Sequence, residues 1–354
     1  MDYDLPAWDR IEGIPDPLEN RILVGHEDLM SRLADTYASG RMHHAWLLTG
    51  PAGIGKATLA ARFAGHVFRH PEPSSAPAGY VAPREGDPTE ARVRRGAHPN
   101  LLVLRRPWND KDRKWRQDLT VDEVRRTVSF FGTSAGEGGW RVAVVDTADD
   151  LNSNAANALL KVLEEPPPRT VFLVLAHAPR GQLATIRSRC VKLQVRPLAD
   201  DRLVEALRGL EVAQDIEAGD LELAAKLAGG SVRRAILLLR EDGIELYRSF
   251  ARLAADARPP DWAAIHALAT EVSGPSRERF RLLLEIVEDY VSRRIRGQDE
   301  PEGGHADAQR AISVLAGGGG VGKTPRRSAE LADAYNLDRK QVVLNLFNAL
   351  KESA

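Results

Sequence analysis

Two stretches of this 354-residue chain carry the glycines and lysine that could hold a phosphate. The first is Gly50-Pro-Ala-Gly53-Ile-Gly55-Lys56-Ala57-Thr58. It follows the apolar run Ala45–Thr49 and opens a segment with Leu59 and Phe63 at helical spacing. A strand, a glycine turn and a helix start let successive backbone N–H groups converge on an anion, and the helix dipole adds positive potential. Lys56 is placed to reach the terminal phosphates. The pattern breaks at one point: position 57 is alanine where Ser or Thr supplies a hydroxyl to Mg²⁺. Thr58 lies about 100° further round the helix and does not replace it. The second stretch, Gly317–Thr324 with Lys323, matches the pattern fully. Its context is wrong, because Pro325 follows at once and no apolar helix face continues from it. It reads as a glycine loop between helices.

A second chemical element is the run Trp140–Asp146, a buried strand ending in an acid that could sit in a Mg²⁺ shell. The next residue is Thr147, so no carboxylate stands beside that acid to act as a base toward water. Asp149 and Asp150 come too late for that role and are expected to cap a helix beginning near Asn152–Ala155. The hydroxyl at 57 and the base at 147 are each worth at least roughly a hundredfold in rate. Hydrolysis is therefore not expected, while the glycine cradle and Lys56 leave weak ATP and Mg²⁺ binding open.

These residues need a scaffold, and the pattern supplies one. Short apolar runs at Trp46–Thr49, Leu101–Leu104, Trp140–Asp146, Val171–Ala176 and Val191–Val195 alternate with helix-length segments. Runs apolar on both faces mark a parallel sheet covered by helices on both sides. Thr120 and Glu123 form a capping box, with Leu119 and Val124 as its staple and Val121, Val124, Val128 and Phe131 as the predicted buried stripe. Pro71–His98 is polar and proline-rich and reads as a solvated loop. Beyond Pro197 the chain turns helical. One stripe runs Phe280, Leu283, Leu284, Val287, Val291, Ile295, and a last helix is capped by Asp338 with Gln341, burying Val342, Val343, Leu346, Phe347 and Leu350. The expected fold is an α/β phosphate-loop core at 20–198 after a lead-in at 1–19, then a small helical domain at 199–243 and an all-α domain at 244–354.

Basic and acidic residues balance, 49 against 50, so overall charge implies no nucleic-acid partner. Arg92, Arg94, Arg95, Arg105 and Arg106 cluster locally and read first as a solvated face. The single cysteine, Cys190, permits neither a disulfide framework nor a cysteine zinc cluster and reads as a small buried apolar residue. His66, His70 and His98 are too sparse to build a metal site, so no zinc is expected. The acidic, proline-broken start does not look like a signal peptide, no run suits a membrane span, and a cytoplasmic location is expected.

Asn154-Ala-Ala-Asn-Ala-Leu-Leu-Lys-Val-Leu-Glu-Glu-Pro-Pro167 followed by Ser188-Arg189-Cys190 resembles the clamp-loader subunits of bacterial replicative DNA polymerase, within the AAA+ class. Gly230-Ser-Val-Arg-Arg-Ala235 is similar to the start of that family's sensor 2 helix, with Arg233 at the arginine position. His177 falls near the position that touches the γ-phosphate. Ala57 and Thr147 look like the delta-prime branch rather than the hydrolysing gamma/tau branch, which remains the alternative. The loop wording is most similar to alphaproteobacterial members.

The resemblance implies an AAA+ core, a helical lid and a collar domain. It implies partnership with gamma/tau and delta subunits, and through the complex with the sliding clamp and primed DNA. It implies a trans arginine finger, here Arg189, that serves a neighbour's ATP. No polymerase activity is expected of this chain itself.

Overall fold

The structure is a computed structural model that describes residues 9–20, 23–132, 139–177, 183–255, 260–274, 277–298, 300–301 and 338–352. Gly317–Thr324 lies outside the described residues.

The chain divides into two compact units, Met1–Glu211 with Gly230–Val232, and Val212–Gly229 with Arg233–Ala354. In the first, β1 (Ala45–Thr49), β2 (Leu101–Leu104), β5 (Arg141–Val145), β6 (Thr170–Ala176) and β7 (Val191–Gln194) form one sheet in the order β2-β5-β6-β1-β7. Every pairing in it is parallel. These are the five apolar runs of the sequence, each matched to within a residue or so at either end. They form strands because side chains on both faces find apolar cover. Trp46 and Leu48 pack with Met30 and Leu33 of α1 (Glu27–Ala38) and Phe63 of α2 (Lys56–Arg69). Ala45 and Leu47 pack on the opposite face with Val124 of α4 (Val121–Gly132) and Leu159 of α5 (Ser153–Glu164). The alternation of cover is the period of two of an extended chain.

The segment read as a solvated loop holds a helix. Asp87 caps α3 (Pro88–Arg94), accepting from the Glu90 N–H at 2.9 Å, and Pro88 fills the first turn. Glu90 turns inward to pair with Arg62 of α2, both buried, and Val93 joins the core. The polar composition hid a helix whose inward charge is neutralised by a partner 28 residues away. A two-residue hairpin, β3 (Trp108–Asn109) with β4 (Lys114–Trp115), also follows β2 and sets Trp108 opposite Trp115.

On α4 the predicted stripe is narrower than read: Val124, Thr127 and Phe131 are buried, but Val128 is 63% exposed. Thr127 takes the inward place and satisfies its hydroxyl on the Val124 carbonyl at 2.6 Å.

The second unit is helical: α8 (Ala218–Ala228), α9 (Val232–Arg240), α10 (Gly243–Ala255), α11 (Trp262–Val272), α12 (Arg277–Ile295) and α13 (Arg339–Glu352). The α12 stripe is buried from Phe280 to Val291, while Ile295 at its end is 40% exposed. Phe250 bridges the unit's core, with Tyr290 at 5.1 Å and Phe347 at 5.6 Å between ring centroids. Asp338 caps α13 through the Lys340 N–H at 2.9 Å. Among the described residues no helix is long and apolar enough to cross a membrane.

Candidate nucleotide site

Parallel register brings four strand ends to one edge of the sheet. Thr49 pairs with Ala176, Val145 with Val174 and Leu104 with Val145. The residues that follow are Gly50, His177, Asp146 and Arg105, and they share the carboxyl edge, where open α/β sheets place their ligands.

The loop from Gly50 to Gly55 leads into α2 as the sequence requires. A Cβ on Gly50 would lie 2.3 Å from the Val195 carbonyl oxygen, and Gly55, at the helix cap, has φ 97°. Glycine alone suits both places. Lys56 does not point outward. Its ammonium donates to the Gly50 carbonyl at 2.6 Å and the Pro51 carbonyl at 2.5 Å, and the residue is 4% exposed. Burial lowers its pKa to about 8, against the opposing pull of Asp146 and Asp149. Ala57 packs against the apolar core, and Thr58 is buried. Ser231, just before α9, donates to the Ala52 carbonyl at 3.0 Å. Arg233 is the second residue of α9 and belongs to the second unit.

Asp146 is engaged. Arg105 Nε lies 3.3 Å from Asp146 Oδ2, and the same guanidinium makes a two-point contact with Asp16, at 2.8 and 3.2 Å. Burial pushes the Asp146 carboxyl up, with Arg105 pulling the other way. For Arg105, burial disfavours the charge, but Asp146 and Asp16 outweigh it and hold the guanidinium ionised. Asp16 stays below its ordinary value because Arg105 and the Leu18 N–H more than offset its burial.

Beside it, the buried Thr147 hydroxyl sits 2.9 Å from both Asp149 Oδ2 and the Leu175 carbonyl oxygen. Asp149 also accepts the His177 backbone N–H at 2.6 Å, and His177 itself is exposed. The expected capping role of Asp149 or Asp150 is not what the chain does. Asn152 caps α5, accepting from Ala155 N–H at 2.9 Å. Asp150 instead pairs with Arg106, whose Nε is 2.6 Å from Oδ2. Asp149 and Asp150 lie in the short 3-10 turn Ala148–Asp150, and their carboxylates are engaged by Thr147, the His177 N–H and Arg106.

The edge therefore assembles Gly50, Gly53, Gly55, Lys56, Ala57, Asp146, Thr147 and His177. As they stand these residues do not fit a magnesium-bound triphosphate: position 57 has no oxygen and the acid at 146 is taken by an arginine. Arg105 and Asp16 are site residues that sequence reasoning missed. The signal existed, since Arg105 directly follows an apolar run, but its partner is revealed only by the pairing of β2 with β5.

Elsewhere, the Ser188-Arg189-Cys190 turn links α6 (Leu183–Arg187) to β7. The Arg189 Nη2 lies 2.5 Å from Glu164 Oε1 of α5, and Nη1 donates to the Thr185 carbonyl at 3.1 Å. Cys190 is half-buried against the core on the α5 face, and burial pushes its thiol up to about 12.

The protein family described as DNA polymerase III, delta subunit matches residues 25–199, the span that holds the sheet and this edge. The DNA polymerase III subunit delta' of Pseudomonas aeruginosa is 39% identical over 190 residues, covering 53% of this chain and 53% of that one, so the match spans about half of that relative. The delta' subunit of Escherichia coli is 29% identical over 315 residues, covering 88% of this chain and 83% of its own. The solved structure of a gamma subunit-related protein from Thermotoga maritima aligns over 92% of this chain and 99% of its own, with 14% identity and a TM-score of 0.49. The five-stranded parallel sheet with its glycine loop between β1 and α2 is the AAA+ core, and the chain belongs to the delta-prime family of DNA polymerase III clamp-loader subunits.

Proposed function

We propose that this chain is a non-hydrolysing subunit of a replicative clamp loader, working in the cytoplasm. In this reading it assembles with gamma/tau-type ATPase and delta-type subunits and helps to open the sliding clamp and place it on primed DNA. It contributes Arg189 to a neighbour's nucleotide rather than turning over its own. The observation that carries the first part is the engaged acid: Asp146 faces Arg105 while Ala57 and Thr147 withhold the hydroxyl and the base. The same two positions weigh against an active motor subunit. Supporting the second part, Arg189 sits on an exposed turn, held by the partly exposed Glu164 carboxylate, the Thr185 carbonyl and the Ser188 hydroxyl, all on its own side of the turn or on α5. Arg233 and His177 keep structural roles in this reading, and the collar and lid divisions follow the family's plan.

Two measurements test it. The purified chain should show negligible steady-state ATP hydrolysis, and turnover comparable to a motor subunit would remove the non-hydrolysing reading. In a complex reconstituted with its ATPase partners, Arg189→Ala should lower ATP turnover without preventing assembly, and an unchanged rate would remove the finger.

A further inference from the structure

The poor fit between this site and a magnesium nucleotide has two separate sources. One is the absent hydroxyl at Ala57. The other is not an absence at all, but a cation already in place. Arg105 and Asp146 are the next residues after Leu104 and Val145, which pair directly across β2 and β5. That register sets them side by side, and the Asp146 N–H to Leu104 carbonyl bond at 2.9 Å holds the backbones together at that point. The Arg105 Nε at 3.3 Å from Asp146 Oδ2 has no hydrogen-bond partner, so the attraction there is charge on charge rather than a directed bond. The directed bonds of the guanidinium go to Asp16.

Asp16 is itself fixed. Its segment is tied down by two other arginines: Arg62 Nη2 donates to the Leu18 carbonyl at 3.1 Å and Arg94 Nε to the Glu19 carbonyl at 2.8 Å. Asp16 at Nη1 and Nη2 and Asp146 near Nε hold one guanidinium between them, and the acid that would face a metal is one of the two.

We propose that Arg105 is a built-in counter-cation that keeps a divalent metal off Asp146, with Asp16 holding it in place. The inference rests on the non-hydrolysing reading and goes beyond it. Restoring the hydroxyl at 57 is not enough to restore metal binding, because the carboxylate is already neutralised. A metal ion and a guanidinium cannot share that carboxylate without strong like-charge repulsion.

The test is titration of the full-length chain with Mn²⁺ in the presence of ADP, read by electron paramagnetic resonance of the free ion. Wild type and Ala57→Ser should both bind weakly. Ala57→Ser combined with Arg105→Leu should bind at least roughly tenfold more tightly, since a buried like charge has been removed. Adding Asp146→Asn to that pair should abolish the gain. Arg105→Lys, which keeps the charge, should stay like wild type.

The proposal is overturned if Ala57→Ser alone gains as much as the double variant. It is equally overturned if the double variant, with a wild-type circular dichroism spectrum, gains nothing. Arg105→Gln replaces the leucine variant if that one misfolds, with the same two outcomes. ATP hydrolysis by the wild-type chain is measured alongside. Turnover there sinks the non-hydrolysing reading, whereas a failed Mn²⁺ gain without turnover sinks only the role of Arg105.

Discussion

Arg189 rests on Glu164, with Nη2 2.5 Å from Oε1 and both side chains partly open to solvent, at 35% and 49% exposure. The arginine proposed to serve a neighbour is thus parked on its own α5. Partly exposed ion pairs contribute little, so Arg189→Ala should cost the isolated chain less than about 1 kcal/mol in urea unfolding. A larger loss would mean that Arg189 is structural, and any fall in the ATPase of the complex would then need another explanation. Arg189→Lys should not rescue that ATPase, because an ammonium lacks the planar fork that spans phosphate oxygens.

Arg62 and Glu90 form the opposite kind of pair, 2% and 10% exposed. Removing one partner strands a charge. Arg62→Met and Glu90→Leu should each destabilise by about 3–5 kcal/mol. The double variant should lose clearly less than the sum of the two, since neither charge is then left unpaired. Additive losses in chemical denaturation would show that the two residues act independently.

His66 is fully buried within the aromatic group that includes Phe63, Tyr37 and Tyr80, and burial, helped by the charges of His70 and Arg69, lowers its pKa to about 4. An unfolded histidine takes its proton near pH 6.5. Between those values the unfolded chain binds more protons than the folded one, so stability must fall as pH drops from about 6.5 toward 4. His66→Leu should flatten that part of the curve. Thermal unfolding of the two proteins across this range decides it, and parallel curves would exclude His66 as the source.

Cys190, with its thiol raised to about 12, holds almost no thiolate at neutral pH. Alkylation of the native chain at pH 8 should run at least roughly a hundredfold slower than in denaturant, where a thiol titrates near 8.5. Equal rates would show an accessible, ordinary thiol.

Much of the scaffold could be read directly. Five apolar runs became five strands because a chain segment apolar on both faces has few other places to go, and the glycine spacing at 50, 53 and 55 demanded a turn only glycine makes easily. The lost chemistry at Ala57 and Thr147 is also a matter of residue identity alone. A polar residue with a distant partner is hidden from local sequence. Glu90 looked solvated until Arg62 of α2 met it, and Asp150 looked like a cap until Arg106 claimed it.

Arg105 is the sharpest case. It was one basic residue in a cluster, 41 positions from Asp146 along the chain. Types and spacing along the chain determine which groups are present and which are missing. Which of them face each other is decided by strand order and register, because parallel pairing joins residues that local sequence keeps far apart.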